Sequence, residues 1–292
     1  METRRHSLAD ADYPAPLRAL QRPPETLHVR GELPRAAGVA IVGTRHPSEE
    51  GAAYAFDLAA AVAAAGFAVW SGGALGIDQA AHEGALSVGG ITVVVAGAGL
   101  EQPYPPGVED LFARVVVAGA LASIVPDATP PMPHIFLARN GVLAAMTVAT
   151  VIVECPIKSG ARSTSAAARR LRRPVWMVAH PPWSPASVAV REELRLGARA
   201  LFHADELLAD LAHPSLPLGA PASADVYTSV PSPSLERVLA AIDAGATRVD
   251  DLCEALSMVP SEVQVALAML TLGGHVDEPD GGTFVRRTTG NR

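Results

Sequence analysis

The stretch from Val69 to Leu86 constrains the fold of this chain most strongly, and it reads V-W-S-G-G-A-L-G-I-D-Q-A-A-H-E-G-A-L. An apolar run typical of a buried strand ends at Trp70, and an alanine-rich helix is predicted to begin near Asp78. The turn between them contains three glycines, Gly72, Gly73 and Gly76. Glycine lets a backbone adopt positive φ and lets a ligand approach closely, while a helix N-terminus presents free N–H groups to an anion. The pattern therefore predicts a strand–loop–helix unit that accepts a phosphate.

Similar short apolar runs alternate with helical patterns along most of the chain. The predicted strands are residues 39–42, 67–70, 91–95, 121–125, 151–154 and 175–178. Uniformly apolar strands separated by helices are typical of an α/β fold, a parallel sheet with helices on both faces. In such sheets, ligands bind beyond the carboxyl ends of the strands. We therefore expect four loops to surround one crevice, at residues 43–45, 71–76, 97–99 and 156–163.

The composition divides the chain into four segments. Residues 1–35 are rich in Pro and Arg and are predicted to form an N-terminal arm with one short helix near residues 16–20. Residues 36–212 carry the α/β pattern, and residues 213–231 form a linker rich in Pro, Ser and Ala. Residues 232–292 show three helical patterns followed by a hairpin pattern. That order predicts a small C-terminal winged helix-turn-helix domain.

The charge of the chain is unevenly distributed. The formal net charge of −7 disfavours a protein that coats nucleic acid along its whole surface. One segment nevertheless contains seven basic residues against the single acid Glu154, namely Arg139, Lys158, Arg162, Arg169, Arg170, Arg172 and Arg173. A local basic patch can bind a polyanion even when the total charge is negative.

Export, membrane insertion and metal binding are not expected. The longest apolar runs, residues 58–70 and 142–153, are shorter than the roughly 18 residues that span a bilayer. The first residues contain no apolar signal core. Two cysteines, Cys155 and Cys253, are too few for a disulfide framework or a zinc site. We therefore expect a cytoplasmic protein without a metal.

Arg45 is the best-placed candidate for phosphate binding. It directly follows a predicted strand and Gly43-Thr44, so its guanidinium can reach into the crevice and hold a phosphate through two hydrogen bonds. The alternative is a buried ion pair with Asp78 or Glu154. The two roles are compatible with each other.

The segment Lys158-Ser159-Gly160-Ala161-Arg162-Ser163-Thr164 is a second predicted anion loop, and it leads into a helix. We expect its two cationic side chains, Lys158 and Arg162, to lie in the crevice. The four arginines at 169–173 are roughly 10–15 Å from the start of that helix. They either favour the C-terminal dipole of the helix or form a second contact along a strand.

Asp78 and His82 are one helical turn apart, so an acid–base pair is one interpretation. The favoured interpretation is structural. In it, Asp78 accepts N–H bonds at the positive end of the helix, and His82 bonds to a neighbouring loop. Because no nucleophile with a suitable base accompanies them, both residues are predicted to brace the site, and no catalytic residue is expected.

Two nucleotide-binding motifs are present only in part. Gly97-x-Gly99 follows a strand, but Gln102 occupies the third glycine position of a dinucleotide fingerprint, and Tyr104-Pro105-Pro106 prevents the required helix. Lys158-Ser159 lacks the glycine that precedes the lysine of a Walker A loop. No nucleotide cofactor is therefore expected.

Taken in chain order, these motifs resemble the DNA-processing protein A family, also called DprA or Smf. The matching pieces are Tyr13-Pro14, Leu27-x-x-x-Gly31, Val42-Gly43-Thr44-Arg45, Ser71 to Asp78, Ala81-His82-x-x-Ala85-Leu86, Gly97-x-Gly99-Leu100, Tyr104-Pro105, Arg139-Asn140, Lys158-Ser159-Gly160 with Thr164, and Gly197-Ala198. The resemblance covers about residues 13–210, and the C-terminal winged helix is also similar to that of the family.

The resemblance implies an extended Rossmann-like domain, with a parallel or mixed sheet, that forms a homodimer and holds single-stranded DNA in a basic pocket without hydrolysis or a cofactor. It also implies a recombination mediator that protects incoming DNA and helps to load a RecA-type recombinase during transformation or recombination. By position, Arg45, Arg139 and Lys158 would contact phosphates, and the glycine loops would admit the DNA backbone. The complete predicted DNA- or phosphate-binding set is Gly43, Thr44, Arg45, Ser71, Gly72, Gly73, Gly76, Gly97, Gly99, Arg139, Asn140, Lys158, Ser159, Gly160, Arg162 and Thr164.

The sequence departs from the family pattern in three places. Ile124 stands where Glu is usual, Gly141 stands where a further Arg is usual, and Ala179-His180 replaces a Pro-Gly pair. The glycine at position 141 removes one positive charge from the implied pocket.

Two other function classes remain open. The same superfamily includes phosphoribohydrolases that process nucleotides and carry a P-G-G-x-G-T-x-x-E segment, whereas the comparable loop here, Cys155 to Gly160, lacks that glutamate. The other class is a nucleotide-sensing adaptor that acts through its winged helix. The predicted recognition helix of that domain, residues 260–272, has no basic residue, and only Arg286 and Arg287 at the wing suit phosphate contact. A protein-binding role for the domain is at least as well supported.

Overall fold

The computed structural model describes residues 2–180, 187–212, 233–272, 275–280 and 283–286. The predicted linker at residues 213–231 and the wing residue Arg287 lie outside the described residues. Within these described ranges, no helix is long and apolar enough to cross a membrane.

The strands are β1 (Arg4–Ser7), β2 (Thr26–Gly31), β3 (Gly38–Val42), β4 (Ala68–Ser71), β5 (Thr92–Val95), β6 (Ala120–Ser123), β7 (Ala149–Ile152), β8 (Val175–Val178), β9 (Arg199–Leu201), β10 (Val276–Asp280) and β11 (Thr283–Arg286). The α-helices are α1 (Glu49–Ala64), α2 (Ile77–Ser87), α3 (Glu109–Ala118), α4 (Pro133–Met146), α5 (Ala161–Arg170), α6 (Ser187–Arg195), α7 (Ala204–Leu211), α8 (Pro233–Asp243), α9 (Val249–Leu256) and α10 (Pro260–Leu272). A 3-10 helix covers Ala15–Ala19.

Strands β1 to β9 form one sheet in the order β1-β2-β6-β5-β4-β3-β7-β8-β9. The pairs from β6 through β5, β4 and β3 to β7 are parallel, whereas β1, β2 and β6 pair antiparallel. The predicted α/β fold with a mixed, mostly parallel sheet is therefore confirmed. Because β3 pairs with β4 on one side and with β7 on the other, the strand order reverses at β3, where open α/β sheets bind their ligands.

The central strands are apolar because both of their faces are covered. Val39, Ala40 and Ile41 of β3 have no exposed surface, and Val151 of β7 is equally buried. Helix α1 follows β3 and begins at Ser48, whose hydroxyl accepts a hydrogen bond of 3.0 Å from the Gly51 amide. A serine at this position satisfies one of the free N–H groups of the first helical turn.

The N-terminal segment belongs to the sheet. Its short predicted helix is present as the 3-10 helix, but β1 and β2 were not predicted. β1 is charged and partly exposed, and β2, although mostly buried, alternates Leu27 and Val29 with polar residues instead of forming a uniformly apolar run. Arg4 of β1 pairs with Val29 of β2, and Arg30 of β2 pairs with Leu121 of β6. The arm therefore supplies the antiparallel edge of the sheet.

The described residues divide within β8 into two compact units, residues 2–176 and residues 177–211 with 233–286. The second unit contains helices α8, α9 and α10 and the antiparallel pair β10–β11. Buried apolar residues from each of the three helices, including Val238, Leu252 and Leu267, form its core. This is the order of elements that the sequence predicts for a winged helix.

Candidate functional site

The loops after β3, β4 and β7 lie side by side at the carboxyl edge of the sheet. The Thr44 amide donates a hydrogen bond of 2.6 Å to the carbonyl of Glu154, and the Ile77 amide donates one of 3.2 Å to the carbonyl of Thr44. Thr44 thus connects the loop after β7 to the first residue of α2. These backbone contacts define one wall of the crevice.

Most glycines of the predicted binding set face protein atoms. Gly76 has φ +80°, and a Cβ there would lie 2.5 Å from the Thr44 carbonyl oxygen. A Cβ on Gly43 would lie 2.5 Å from the Ile77 side chain, and one on Gly72 would overlap the guanidinium of Arg139. The glycine pattern predicts that a ligand occupies the space above these residues. In the structure they let neighbouring protein segments pack closely.

The loop glycines after β5 are packed in the same way. A Cβ on Gly97 would overlap the ring of Phe136, and one on Gly99 would overlap the carbonyl of Asp127. Gly160 differs from them, because nothing lies within 4 Å of a Cβ built on it. The second anion loop is therefore more open than the glycine turn at the start of α2.

The carboxylate of Asp78 is hydrogen-bonded to the backbone of the glycine turn. Its Oδ2 accepts hydrogen bonds from the amides of Gly72, at 3.2 Å, and Ala74, at 3.3 Å. The prediction that Asp78 accepts N–H bonds at the start of its helix is therefore wrong, because Gly76 is the N-cap of α2 and the carboxylate bonds to the preceding loop. Burial raises the pKa of Asp78, while the positive charge of Arg139 and the hydrogen bonds oppose that rise.

Arg139 of α4 is buried and bound to protein groups. Its Nη1 donates a hydrogen bond of 2.7 Å to the carbonyl of Val95 at the end of β5, and its Nη2 lies 4.0 Å from Asp78 Oδ2. Burial lowers the pKa of Arg139, and the charge of Asp78 opposes that change. The resemblance implies that Arg139 contacts phosphate, but in this structure its guanidinium links α4 to β5 and to the β4–α2 loop.

Arg45 is exposed and lies over an aromatic ring. Its guanidinium carbon is 5.5 Å from the centroid of the Phe136 ring, and that of Arg139 is 5.9 Å from the same centroid. The ring of Tyr104 packs edge-on against Phe136, with 5.6 Å between centroids. A guanidinium beside an aromatic pair can hold a phosphate and an adjacent flat base.

The alternative ion pair for Arg45 does not form among the described residues. Glu154 Oε2 instead accepts hydrogen bonds from the backbone amide of Ser48, at 3.1 Å, and from its hydroxyl, at 3.0 Å. Glu154 therefore anchors the start of α1. Arg45 keeps its guanidinium at the surface of the crevice.

Sequence reasoning did not identify Phe136 and Tyr104 as site residues. In the sequence, Tyr104 belongs to a segment that cannot form a helix and to the Tyr104-Pro105 motif of the family, neither of which assigns it a binding role. Phe136 lies one turn before Arg139 on α4. The available signal was an aromatic residue at helical spacing from a candidate arginine. The contact between the two rings joins residues from different loops, so no local pattern encodes it.

The second anion loop presents Lys158 to solvent. Arg162 donates a hydrogen bond of 2.9 Å to the carbonyl of Ile157, and the Ser159 hydroxyl accepts one of 3.2 Å from the Ala161 amide. Asn140 Nδ2 lies 2.5 Å from the Ser163 hydroxyl and also donates to the Gly160 carbonyl at 3.3 Å. Thr164 is buried. The loop is thus tied to α4, and Lys158 is its exposed cation.

His82 is buried and bonded to the sheet. Its Nδ1 lies 2.7 Å from the hydroxyl of Thr92, and that hydroxyl lies 2.9 Å from the carbonyl of Val69. Because the hydroxyl donates its single hydrogen to Val69, His82 Nδ1 carries a proton and donates to Thr92. Burial, followed by the charge of Arg139, lowers the pKa of His82 to about 3. The imidazole is therefore neutral at pH 7 and packed away from the crevice.

The arginines at the end of α5 include one with a defined structural contact. Arg173 Nη2 donates a hydrogen bond of 3.1 Å to the carbonyl of Ala145 at the end of α4, and burial lowers the pKa of Arg173. Arg170 is exposed. At least one member of this cluster thus stabilises the packing between α4 and α5.

The fold defines a class of two-domain protein. It has a Rossmann-like α/β domain whose loops lie together at the strand ends, followed in the chain by a winged helix. Residues 5–212 match the family model of DNA recombination-mediator protein A, and residues 220–282 match the DprA winged helix domain. The chain belongs to the DNA recombination-mediator protein A family, also called DprA or Smf. The family resemblance and the C-terminal winged helix predicted from the sequence are both confirmed.

Relatives with known names share much of the sequence. The chain is 38% identical over 249 residues to a DNA processing protein DprA of Mycobacterium tuberculosis. The aligned region covers 85% of this chain and 64% of that protein. It thus spans a little under two thirds of that relative. It is 30% identical over 313 residues to the protein Smf of Synechocystis, and the aligned region covers 95% of this chain and 79% of that protein.

Two solved structures share the fold. The DprA structure from Streptococcus pneumoniae superposes with a TM-score of 0.67 at 27% identity, over 72% of this chain and 74% of that chain. The DprA structure from Helicobacter pylori, described for its single-stranded DNA binding mode, gives a TM-score of 0.64 at 26% identity, over 71% of this chain and 95% of that chain.

Proposed function

We propose that this chain binds single-stranded DNA in the crevice at the carboxyl ends of β3, β4, β5 and β7. The observation that carries the proposal is the exposed guanidinium of Arg45 over the ring of Phe136. The ring of Tyr104 packs edge-on against that of Phe136. A cation beside an aromatic surface suits a strand, because phosphates are charged and every base has a flat face. Membership of the family and the described single-strand binding of the Helicobacter pylori relative support the same choice.

The roles of the predicted residues differ in this proposal. Arg45 and Lys158 are exposed and supply the charge that holds phosphates. Arg139 and Asp78 shape the loops from inside the protein, and His82 fixes α2 to the sheet. Bases are accessible for stacking only where they are unpaired, so the aromatic pair favours a single strand over a duplex.

We also propose that the chain acts as a recombination mediator that loads a RecA-type recombinase, as a cytoplasmic homodimer and without enzymatic activity or a cofactor. The matched family, DNA recombination-mediator protein A, supports the recombination-mediator part of this proposal. The proposed organisation keeps the segments 1–35, 36–212, 213–231 and 232–292, with the second segment as the DNA-binding domain.

Fluorescence anisotropy of a labelled oligo-dT strand over a series of KCl concentrations tests the binding proposal. We expect Arg45→Ala and Lys158→Ala each to weaken binding and to reduce the slope of log affinity against log salt by about 1, because each removes one phosphate contact. Arg22→Ala, which removes an exposed arginine from the N-terminal segment, is the charge-matched control and should behave like the unaltered chain.

Two outcomes would contradict the proposal: no binding by the unaltered chain at low salt, or unaltered binding by both variants. Competition with mononucleotides in the same assay separates strand binding from nucleotide sensing. Release of free base from nucleoside monophosphates, followed by chromatography, would favour a hydrolase instead.

A further inference from the structure

The loop after β5, which carries Gly97 and Gly99, is hydrogen-bonded to the segment that follows β6. The Gly99 amide donates a hydrogen bond of 2.8 Å to the carbonyl of Thr129, and the Glu101 amide donates one of 3.0 Å to the carbonyl of Asp127. A side chain on Gly99 would overlap the same Asp127 carbonyl. The backbone of residues 97–101 is therefore fixed against the segment that follows β6.

Arg30 of β2 reaches this loop from the N-terminal edge strands. Its Nη1 donates a hydrogen bond of 3.1 Å to the carbonyl of Leu100. Its Nη2 donates to the hydroxyl of Thr3 at 3.2 Å and lies 4.0 Å from Asp127 Oδ2. Arg30 thus contacts the crevice loop, the segment before β1 and the segment after β6 with one planar group.

Arg30 is the main positive charge beside Asp127, where the other nearby basic side chain is His28. His28 Nδ1 lies 3.8 Å from Asp127 Oδ1, but burial lowers the pKa of His28, with the charge of Arg5 acting in the same direction and that of Asp127 opposing it. At pH 7 the imidazole is therefore predominantly neutral, and Arg30 carries most of the charge that balances Asp127.

A chain of contacts connects Arg30 to the exposed cation of the site. The Leu100 carbonyl belongs to the loop whose Gly97 packs directly under the ring of Phe136. The same ring lies 5.5 Å from the guanidinium carbon of Arg45. A shift of the loop would therefore move the surface on which Phe136 and Arg45 rest.

We propose that Arg30 is a positioning residue for strand binding: its hydrogen bond to Leu100 sets the loop that supports Phe136 and Arg45. This inference rests on the proposed function. In this proposal the N-terminal segment, through Arg30, positions the binding site and does not itself contact DNA.

The test compares Arg30→Gln with Arg5→Gln in the oligo-dT assay. Arg5 is an exposed residue of β1, opposite His28, and its replacement removes the same charge from the same sheet edge without touching the loop. We expect Arg30→Gln to weaken binding about five- to tenfold, as the loss of one hydrogen bond would. The salt slope should stay at the wild-type value, because no phosphate contact is removed.

A second readout reports on the loop directly. Hydrogen exchange of the Glu101 amide should be faster in Arg30→Gln than in Arg5→Gln, while exchange in β4 and β5 stays unchanged. Arg30→Lys keeps the charge but not the planar fork, so it should recover only part of the lost affinity.

The outcomes separate the two proposals. Wild-type affinity in Arg30→Gln overturns the positioning role alone, and so does Glu101 exchange that is no faster than in Arg5→Gln. A salt slope reduced by about 1 also overturns it, because Arg30 would then be a phosphate contact. Absence of oligo-dT binding by the unaltered chain overturns the proposed function and, with it, the binding role of Arg30.

Discussion

Arg45 and Arg139 lie against the same aromatic ring but have different surroundings. Arg139 is 6% exposed and donates to Val95, whereas Arg45 is exposed and has no ion pair among the described residues. A guanidinium that already bonds to buried protein groups would lose those bonds on turning toward a ligand. These surroundings support the proposed phosphate-binding role of Arg45 and a supporting role for Arg139.

His82 gives a prediction at the same scale. Its pKa is about 3 in the folded chain and near 6.5 in an unfolded chain. Below pH 6.5 the unfolded state binds the extra proton, so the stability provided by the neutral, buried imidazole is lost as the pH falls toward 3. Between pH 7 and pH 5 we expect the unaltered chain to lose about 2 kcal/mol more unfolding free energy than His82→Gln.

Urea unfolding of both proteins at the two pH values measures this difference. The pKa of His28 is also lowered, but that residue is present in both proteins, so the comparison isolates His82. Equal losses in the two proteins would show that His82 is protonated in the folded state.

The contact between α1 and α2 determines where the glycine turn lies, because α2 begins directly after it. Gly84 of α2 packs against the backbone of α1, and a Cβ there would overlap the carbonyl of Phe56. A backbone carbonyl within a helix cannot move aside as a flexible side chain can. The glycine is therefore needed for the helices to approach closely.

At this element scale, we predict that Gly84→Ala lowers the unfolding free energy by about 3 kcal/mol, because the helices must separate. Gly141→Ala is the matched control in another helix of the same domain. The nearest heavy atom to a Cβ at Gly141 is in the Leu20 side chain at 3.6 Å, an ordinary contact. The control should stabilise α4 by about 1 kcal/mol through helix propensity. Thermal or urea unfolding that ranks the two variants equally would contradict the prediction.

Charge is distributed unevenly over the whole molecule. Residues 232–292 contain five basic and nine acidic side chains. Within the described part of this segment, the wing residue Arg286 forms an ion pair with Asp243, and Arg237 donates to the carbonyl of Leu256. In this described part, two arginines are therefore bound to protein groups while Arg248 is exposed, and the excess of acidic residues in the segment disfavours contact with a phosphate backbone.

For the whole chain, we predict that Arg286→Ala changes oligo-dT affinity by less than about twofold, since loss of a phosphate contact would have a larger effect. Lys158→Ala in the same titration provides the comparison. A loss as large as that of Lys158→Ala would mean that the winged helix takes part in DNA binding.

The sequence predicted the central elements well because their signals are local. The apolar runs of β3, β4, β5 and β7 identify strands covered on both faces, and the glycine-rich turn before Asp78 marks a strand-to-helix transition. The edge strands β1 and β2 were not predicted. β1 contains no apolar residue, and in β2 only Leu27 and Val29 alternate with polar residues, so neither strand shows the uniformly apolar run that identifies the central strands. β1 pairs with β2, and β2 pairs with β6, which incorporates both into the sheet.

The sequence by itself determined the α/β fold, the edge of the sheet where the loops gather, the winged helix and the family. Each of these follows from periodicity, composition or motifs read along the chain. The tertiary structure decided how those loops are built: the glycine turn is filled by Arg139 and braced by Asp78, while Arg45 remains exposed beside Phe136. Burial and contact depend on residues far apart in the sequence, so the different surroundings of Arg45, in the loop after β3, and Arg139, within α4, are set only when the chain is folded.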